Sequence, residues 1–309
     1  MTEPTIISII RVVLEFIWAL LRMNFETLKA IYLWILPPEP KDVTEDIILI
    51  TGAGHGMGRE VALRFGRLGA TVVCVDINPT SSEETAKMIK NEKGKAYNYV
   101  CDITDRAAVF DLANRVQLEV GAVTILLNNA GVMPCKPLLR HTEKEIRTMN
   151  DINIHGVLWT IQAFLPSMLE NNKGHLVAMS SMAGLMGLRN IVPYCGSKYA
   201  VRGIMEGLHM ELHEDKSRDT EGIKFTTIFP TMVNTGLCHK PNIRFKLLTN
   251  MVEKEFAADL IVDAIRREYR EITIPTDLHY ANRFIFRVIP YNAALVMNDF
   301  FATGLDPHD

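Results

Sequence analysis

The segment "YCGSK" sets Tyr194 and Lys198 four positions apart. On a helix that spacing stacks both side chains on one face, about a turn apart. A phenol held beside an ammonium can exchange a proton with a substrate oxygen. A free tyrosine has a pKa near 10, too high for a base that works near neutrality. A cation about 4 Å from the phenolate, at an effective dielectric of about 20, supplies roughly 4 kcal/mol, or about three pKa units. In a chain with eight tyrosines, such a match has roughly even odds of arising by chance, so other segments must decide.

The first of these is "TGAGHGMGRE", which follows the apolar run "IILIT" directly. Glycines between a strand and a helix leave backbone N–H groups free to face a pyrophosphate at the helix N-terminus. The spacing is Gly52-x-x-x-Gly56-x-Gly58, preceded by Thr51. Tight turns need glycine for steric reasons alone, so two aspartates add weight. Asp76 ends the second β-rich run, where a carboxylate accepts the hydroxyls of an adenosine ribose. Asp102 follows the third run, near the expected adenine. Either could instead cap a strand end. The Asp76 charge repels a 2′-phosphate and no Arg or Lys follows at once in "DINPT", so the reading is NAD over NADP. His55, just before Gly56, cuts the other way, since a protonated imidazole helps hold a phosphate.

These residues need a scaffold, and the chain supplies a regular one from residue 47. Seven β-rich runs ("IILIT", "TVVCVD", "AYNYVC", "TILLN", "HLVAMS", "KFTTIF", "ITIP") alternate with longer helix-like stretches. That rhythm predicts an α/β fold, a single Rossmann-like doubly wound parallel sheet with helices on both faces. With 309 residues, 48% of them hydrophobic and 22% charged, the chain can bury a substantial core. A net charge of −3 without a long basic run excludes a nucleic-acid footprint. Cys74, Cys101, Cys135, Cys195 and Cys238 are scattered and odd in number, which predicts buried thiols in a reducing compartment. His209 and His213 in "HMELH" have metal spacing but no third ligand, so no metal site is expected. The segment from about 231 to 252 reads as a loop.

"TGAGHGMG", "NNAG" (128–131), "YCGSK" and a serine thirteen residues before the tyrosine together resemble the classical short-chain dehydrogenase/reductase family, over about residues 45 to 275. "AFLPSMLENNKGHLV" and "PTMVNTG" are similar to a membrane-associated subgroup of retinol and 17-beta-hydroxysteroid dehydrogenases. Four ordered motifs are far more specific than one. The resemblance implies Tyr194 as general acid/base, with Lys198 lowering its pKa and holding the nicotinamide ribose. It implies Ser181 as hydrogen-bond donor to the reacting oxygen, Ser180 being out of register, and Asn153 as anchor of a water in the proton relay. For the cofactor it implies Gly52, His55, Gly56, Met57, Gly58, Asp76, Asp102, Ile103, Asn129, Ala130, Gly131, Pro230, Val233 and Thr235 beside Tyr194 and Lys198. Thr231 departs from the glycine that often follows the proline.

The expected reaction is hydride transfer between NAD(H) and a lipophilic alcohol/carbonyl pair. Retinol-type substrates rank first, ahead of hydroxysteroids and long-chain fatty alcohols. Met133, Leu185, Met186, Val192, Met232 and Leu237 are candidate pocket or core residues. A lipid-droplet scaffold of the same fold without turnover is the alternative from another class. Residues 1–38 are expected to form a membrane-anchoring segment and 39–309 the catalytic domain. At about 100° per residue, Arg11, Glu15, Arg22, Glu26 and Lys29 fall within roughly 60° of arc on one helix, and the remaining surface is apolar. Such a helix lies in a membrane interface with its charged stripe toward water. The resemblance implies the endoplasmic reticulum membrane or a lipid-droplet surface, a cytosolic catalytic domain, and a homodimer paired through the long helices beside the site.

Overall fold

The computed structural model describes residues 6–237, 241–242, 244, 251–276, 290–301 and 304–307. By their contacts they divide into two units, Met1–Lys41 and Asp42–Asp309.

In the larger unit, runs rich in Ile, Val and Leu form inner strands covered on both faces, while the more polar edge strand Lys95–Val100 is largely exposed. The strands are β1 (Ile47–Thr51), β2 (Thr71–Asp76), β3 (Lys95–Val100), β4 (Ile125–Asn128), β5 (Gly174–Met179), β6 (Ile223–Pro230) and β7 (Glu271–Ile274). They make one seven-stranded parallel sheet in the order β7-β6-β5-β4-β1-β2-β3. Each β-rich run of the sequence is one of these strands, with ends shifted by about a residue. This is the doubly wound Rossmann-like arrangement.

Strand alternation divides the core in two. Ile48, Ile50, Val72, Cys74 and Leu127 point to the side covered by α2 (Gly56–Arg67), α3 (Pro79–Asn91) and α8 (Lys254–Arg266). Leu49, Val73, Val75, Leu126 and Leu176 point to the side of α4 (Arg106–Glu119), α6 (Gly156–Glu170) and α7 (Val192–Glu214). Local chemistry starts the helices. The Asn78 side chain accepts from the Thr80 and Ser81 N–H groups, with Pro79 as the first helical residue. Asp105 caps α4, and Thr142 with Glu145 forms a capping box at α5 (Glu143–Asn150). Such caps each contribute about 1 kcal/mol. Between α5 and α6 the chain widens into a π-helical turn, Asp151–His155.

The strand order reverses at β1, which pairs with β2 on one side and β4 on the other. Loops leaving the carboxyl ends of these strands therefore diverge and leave a crevice, where open α/β sheets bind ligands.

The smaller unit is dominated by one continuous helix, α1 (Ile6–Ile35), about 45 Å long at 1.5 Å per residue. Arg11 Nε donates to Glu15 Oε1 at 2.8 Å, and the Arg22 guanidinium lies 4.8 Å from the Trp18 ring centre. Phe16, Trp18, Leu21, Phe25 and Trp34 are exposed. Among the described residues no helix is long and apolar enough to cross a membrane. Of the expected 231–252 loop, 238–240, 243 and 245–250 lie outside the described residues, Cys238 among them. Val233–Asn234 pairs with Val252–Glu253, and Pro241–Asn242 with Gly304–Leu305. Residues 277–289 lie outside the described residues, and Tyr291–Phe301 is helix α9.

Candidate active site

At the carboxyl end of β1 the chain turns on Gly52 and Gly56, whose φ values of +66° and +59° lie where L side chains are strained. Gly58 opens α2 because nothing larger fits: a Cβ there would lie 2.2 Å from the Gly52 carbonyl oxygen and 2.6 Å from Asn129 Nδ2. Asn129 itself clamps the turn, donating to the carbonyls of Thr51 (2.9 Å) and Gly52 (3.1 Å). Thr51 Oγ1 accepts from the N–H groups of Asn129 (3.0 Å) and Ala130 (3.1 Å). Beside this turn, Gly131 and Ala130 begin the loop after β4. A compact, glycine-rich backbone turn at a helix N-terminus results, the kind of place that suits an anionic group.

Gly54 was not among the residues singled out from the sequence, yet it joins the turn to Asp76. Its N–H donates to Asp76 Oδ2 at 2.8 Å, and a Cβ there would overlap Ser81 Oγ at 2.2 Å. Asp76 Oδ1 accepts from the Asn78 N–H at 2.9 Å. The carboxylate is thus oriented by two backbone donors and keeps acceptor capacity on both oxygens. Asp102 is a turn residue as well: its Oδ1 accepts from the Thr104 N–H (2.9 Å) and hydroxyl (2.8 Å). Ile103 beside it is buried, and a Cβ on Gly156 would overlap its side chain. His55 is exposed and precedes α2 in extended conformation, making no capping hydrogen bond with its side chain; Met57 follows, packed on the core.

The second half of the site stands on β5, β6 and α7. Tyr194 and Lys198 are both buried on α7, with Lys198 Nζ 5.5 Å from the Tyr194 ring centre. The ammonium donates to the Met179 carbonyl at 2.7 Å, and burial pushes its pKa from 10.5 down to about 8. Ser180, set aside in the sequence reading, ties the helix to β5: its hydroxyl donates to the Lys198 carbonyl at 2.9 Å. Ser181 Oγ accepts from the Ala183 N–H at 3.1 Å and donates to the Pro230 carbonyl at 3.4 Å.

Asn153 is fully buried in the π-helical turn. Its Oδ1 accepts from the Val132 N–H (2.9 Å), and its Nδ2 donates to the Val132 carbonyl (3.0 Å) and to Ser197 Oγ (3.0 Å). Ser197 carries no signal in the sequence beyond lying between Tyr194 and Lys198. The site of a Gly131 Cβ is 3.2 Å from Asn153 Oδ1 and 3.5 Å from Lys198 Nζ, so Gly131, Asn153 and Lys198 converge. Thr235 reaches the glycine turn, 3.2 Å from where a Gly56 Cβ would be, and Val233 is buried two residues earlier. Thr231, in place of the common glycine, donates its N–H and hydroxyl to the Ile274 carbonyl, both at 2.9 Å. Met133 and Met232 border the buried cluster that contains Tyr194.

Among the described residues there is no group of three or more side chains suited to hold a metal. The rings of His209 and His213 lie 6.3 Å apart, and His209 packs edge-on against Phe225. Cys74, Cys101, Cys135 and Cys195 are buried free thiols, with burial pushing Cys74 up to about 12 and Cys101 to about 11.

The short chain dehydrogenase family model matches residues 46–243, which span the glycine turn, Asn153, Tyr194 and Lys198. The chain belongs to this family. It is 39% identical over 280 residues to short-chain dehydrogenase/reductase family 16C member 6 of Bos taurus, covering 90% of this chain and 87% of that one. Epidermal retinol dehydrogenase 2 of Homo sapiens is 36% identical over 277 residues, covering 89% and 88%. In fold it resembles a short chain dehydrogenase/reductase from Burkholderia phymatum solved in complex with NAD, with a TM-score of 0.71 at 22% identity over 87% of this chain and 98% of that one.

Two measurements follow from this geometry. Gly58→Ala forces the turn open against backbone, and should cost about 1–3 kcal/mol. Thermal unfolding should show the loss, and fluorescence titration should show weakened NADH binding; an unchanged affinity would contradict the turn as an anion site. The second concerns Lys198. Between about 8 and 10.5 the unfolded chain holds more protons than the folded one, so stability rises with pH across that window. Lys198→Met removes the buried charge and should stabilise the cofactor-free protein near neutrality by roughly 1–3 kcal/mol. That gain should shrink as the pH climbs above about 8. Urea unfolding at both ends of the range checks it, and an equal gain throughout would rule it out.

Proposed function

We propose that this protein is an NAD-dependent dehydrogenase of lipophilic alcohols, with retinol-type alcohols as the first-ranked substrates, acting at a membrane or lipid-droplet surface. One observation carries the reading. Tyr194 lies beside buried Lys198 on α7, Lys198 and buried Asn153 converge on Gly131 in the loop next to the glycine turn, and Ser181 follows the carboxyl end of β5. The residues fit a dinucleotide: the glycine-rich turn from Gly52 to Gly58 would hold the pyrophosphate, and Asp76 the ribose hydroxyls. The Asp76 charge disfavours a 2′-phosphate. Asp102 and Ile103 would flank the adenine, while Asn129, Ala130, Gly131, Pro230, Val233 and Thr235 would border the nicotinamide half. NAD+, when bound, supplies the hydride acceptor.

Tyr194 takes the proton from the alcohol oxygen in oxidation and returns it in reduction. Lys198 favours the phenolate because a neighbouring cation lowers a phenol's pKa. With its own pKa near 8 it remains mostly charged at neutral pH. Ser181 orients the substrate oxygen with its hydroxyl. Asn153 fixes the loop after β4 and, through Ser197, the first turns of α7, and so positions both halves of the site. The lipophilic class is supported by the apolar cluster around Tyr194, built from Cys135, Met149, Ala183 and Ile191 and bordered by Met133 and Met232. The name borne by a 36%-identical relative supports retinol-type alcohols. A homodimer pairing through α6 and α7 belongs to the same reading.

Tyr194→Phe removes only the proton-transfer oxygen. Oxidation of retinol by NAD+ should fall by at least about a hundredfold, the scale of general acid–base catalysis, while NADH still binds. Substantial residual turnover would assign the proton to another group. An enzyme that oxidises no alcohol at all would favour the scaffold alternative.

α1 gives the surface. Its charges share one stripe and the remainder is mostly apolar, with the side chains of Asn24 and Thr27 bonded back to the helix, which suits a helix lying in a membrane interface. Deleting residues 1–38 should release a folded, NADH-binding protein into the soluble fraction. If the shortened chain still sediments with membranes, the anchor lies elsewhere.

A further inference from the structure

The apolar cluster around Tyr194 includes one residue from a part of the chain far beyond the motifs and the central sheet. Leu305, four residues before Asp309, is 5% exposed and packs in that cluster with Cys135, Ala183, Ile191 and Tyr194. This cluster is separate from the two cores that hold the sheet to its helices. It is assembled from α5, the start of α7 and loops at the carboxyl ends of the strands, where a substrate must enter to meet Tyr194.

Leu305 is held there by polar contacts to three loops of the same end. Asn190 Nδ2, just before α7, donates to the Leu305 carbonyl at 2.8 Å. Cys135 Sγ, after β4, donates to the Asp306 carbonyl at 3.6 Å, and Arg189 pairs with Asp306 at 3.7 Å. Gly304 and Leu305 form an antiparallel ladder with Asn242 and Pro241, in the segment after β6. Asn190 has φ +65°, a conformation asparagine adopts more readily than most residues. A chain end tied to all three loops around a catalytic pocket does more than close a core.

We infer that Gly304–Asp306 is a clasp that forms one wall of the substrate pocket, and that Leu305 is a specificity-determining residue for the apolar tail of the alcohol. This rests on the dehydrogenase reading of the site. The tail of a long alcohol meets the Leu305 side chain, whereas a short alcohol reaches Tyr194 without touching it. The protein's preference for long over short alcohols therefore depends on an element at the far end of the chain.

The test compares butan-1-ol with dodecan-1-ol, using NAD+ and the full-length protein in detergent. Leu305→Ala should lower the dodecan-1-ol to butan-1-ol ratio of kcat/KM about tenfold, the scale of small changes in an apolar pocket. Leu305→Met keeps volume and apolarity and should keep the ratio. Asn190→Gly preserves the left-handed backbone while removing the amide that holds the clasp, and should shift the ratio in the same direction as Leu305→Ala. A purely structural Leu305 would reduce both substrates alike and leave the ratio unchanged, which would overturn the inference. Binding of dodecan-1-ol to the NADH-loaded protein, read by fluorescence, separates the two claims. If the wild type oxidises neither of these alcohols nor retinol, the dehydrogenase reading falls. A binding affinity lowered about tenfold by Leu305→Ala would still uphold the wall, and an unchanged one would overturn it.

Discussion

Burying the Lys198 ammonium is the constraint on which the site depends. A charge removed from water is costly unless polar groups meet it, and the structure meets this one with the Met179 carbonyl at the end of β5. That contact fixes how α7 sits on the sheet, and Ser180 repeats it one residue later through the Lys198 carbonyl. The cost persists all the same, as the depressed pKa records. Stability is given up so that a cation stays beside Tyr194 in a place water does not reach.

The opposite wall is fixed by backbone. β1 and β4 are neighbours because the strand order reverses between them, and Thr51 and Asn129 convert that adjacency into a rigid turn. Asn153 joins the halves: a widened helical turn aims its amide at Val132 on one side and Ser197 on the other. With both faces of the amide engaged, its rotamer is set by the loop after β4 and by α7 together.

Much of this was legible in the chain. Seven β-rich runs mark seven strands: the inner ones are continuously apolar because both faces are covered, and the edge run keeps polar residues. The Tyr-x-x-x-Lys pair and the aspartates at the strand ends stand out by type and spacing, whereas Ser181 and Asn153 are picked out only by the resemblance to the family. Gly54 stands out by neither: its reason is a close approach to Ser81 and Asp76, some twenty residues away. Ser180 and Ser197 hid in the same way, since a serine is chosen here by the partner it meets in space.

The sequence by itself determined the strand and helix pattern, the glycine turn, and the chemical groups available, because periodicity and residue type are local properties. Only the tertiary structure decided that Lys198 is buried against Met179, that Asn153 spans two elements, and that Leu305 joins the cluster of Tyr194 from the chain's end. Those are contacts between residues distant in the chain, and their existence follows from how the layers pack.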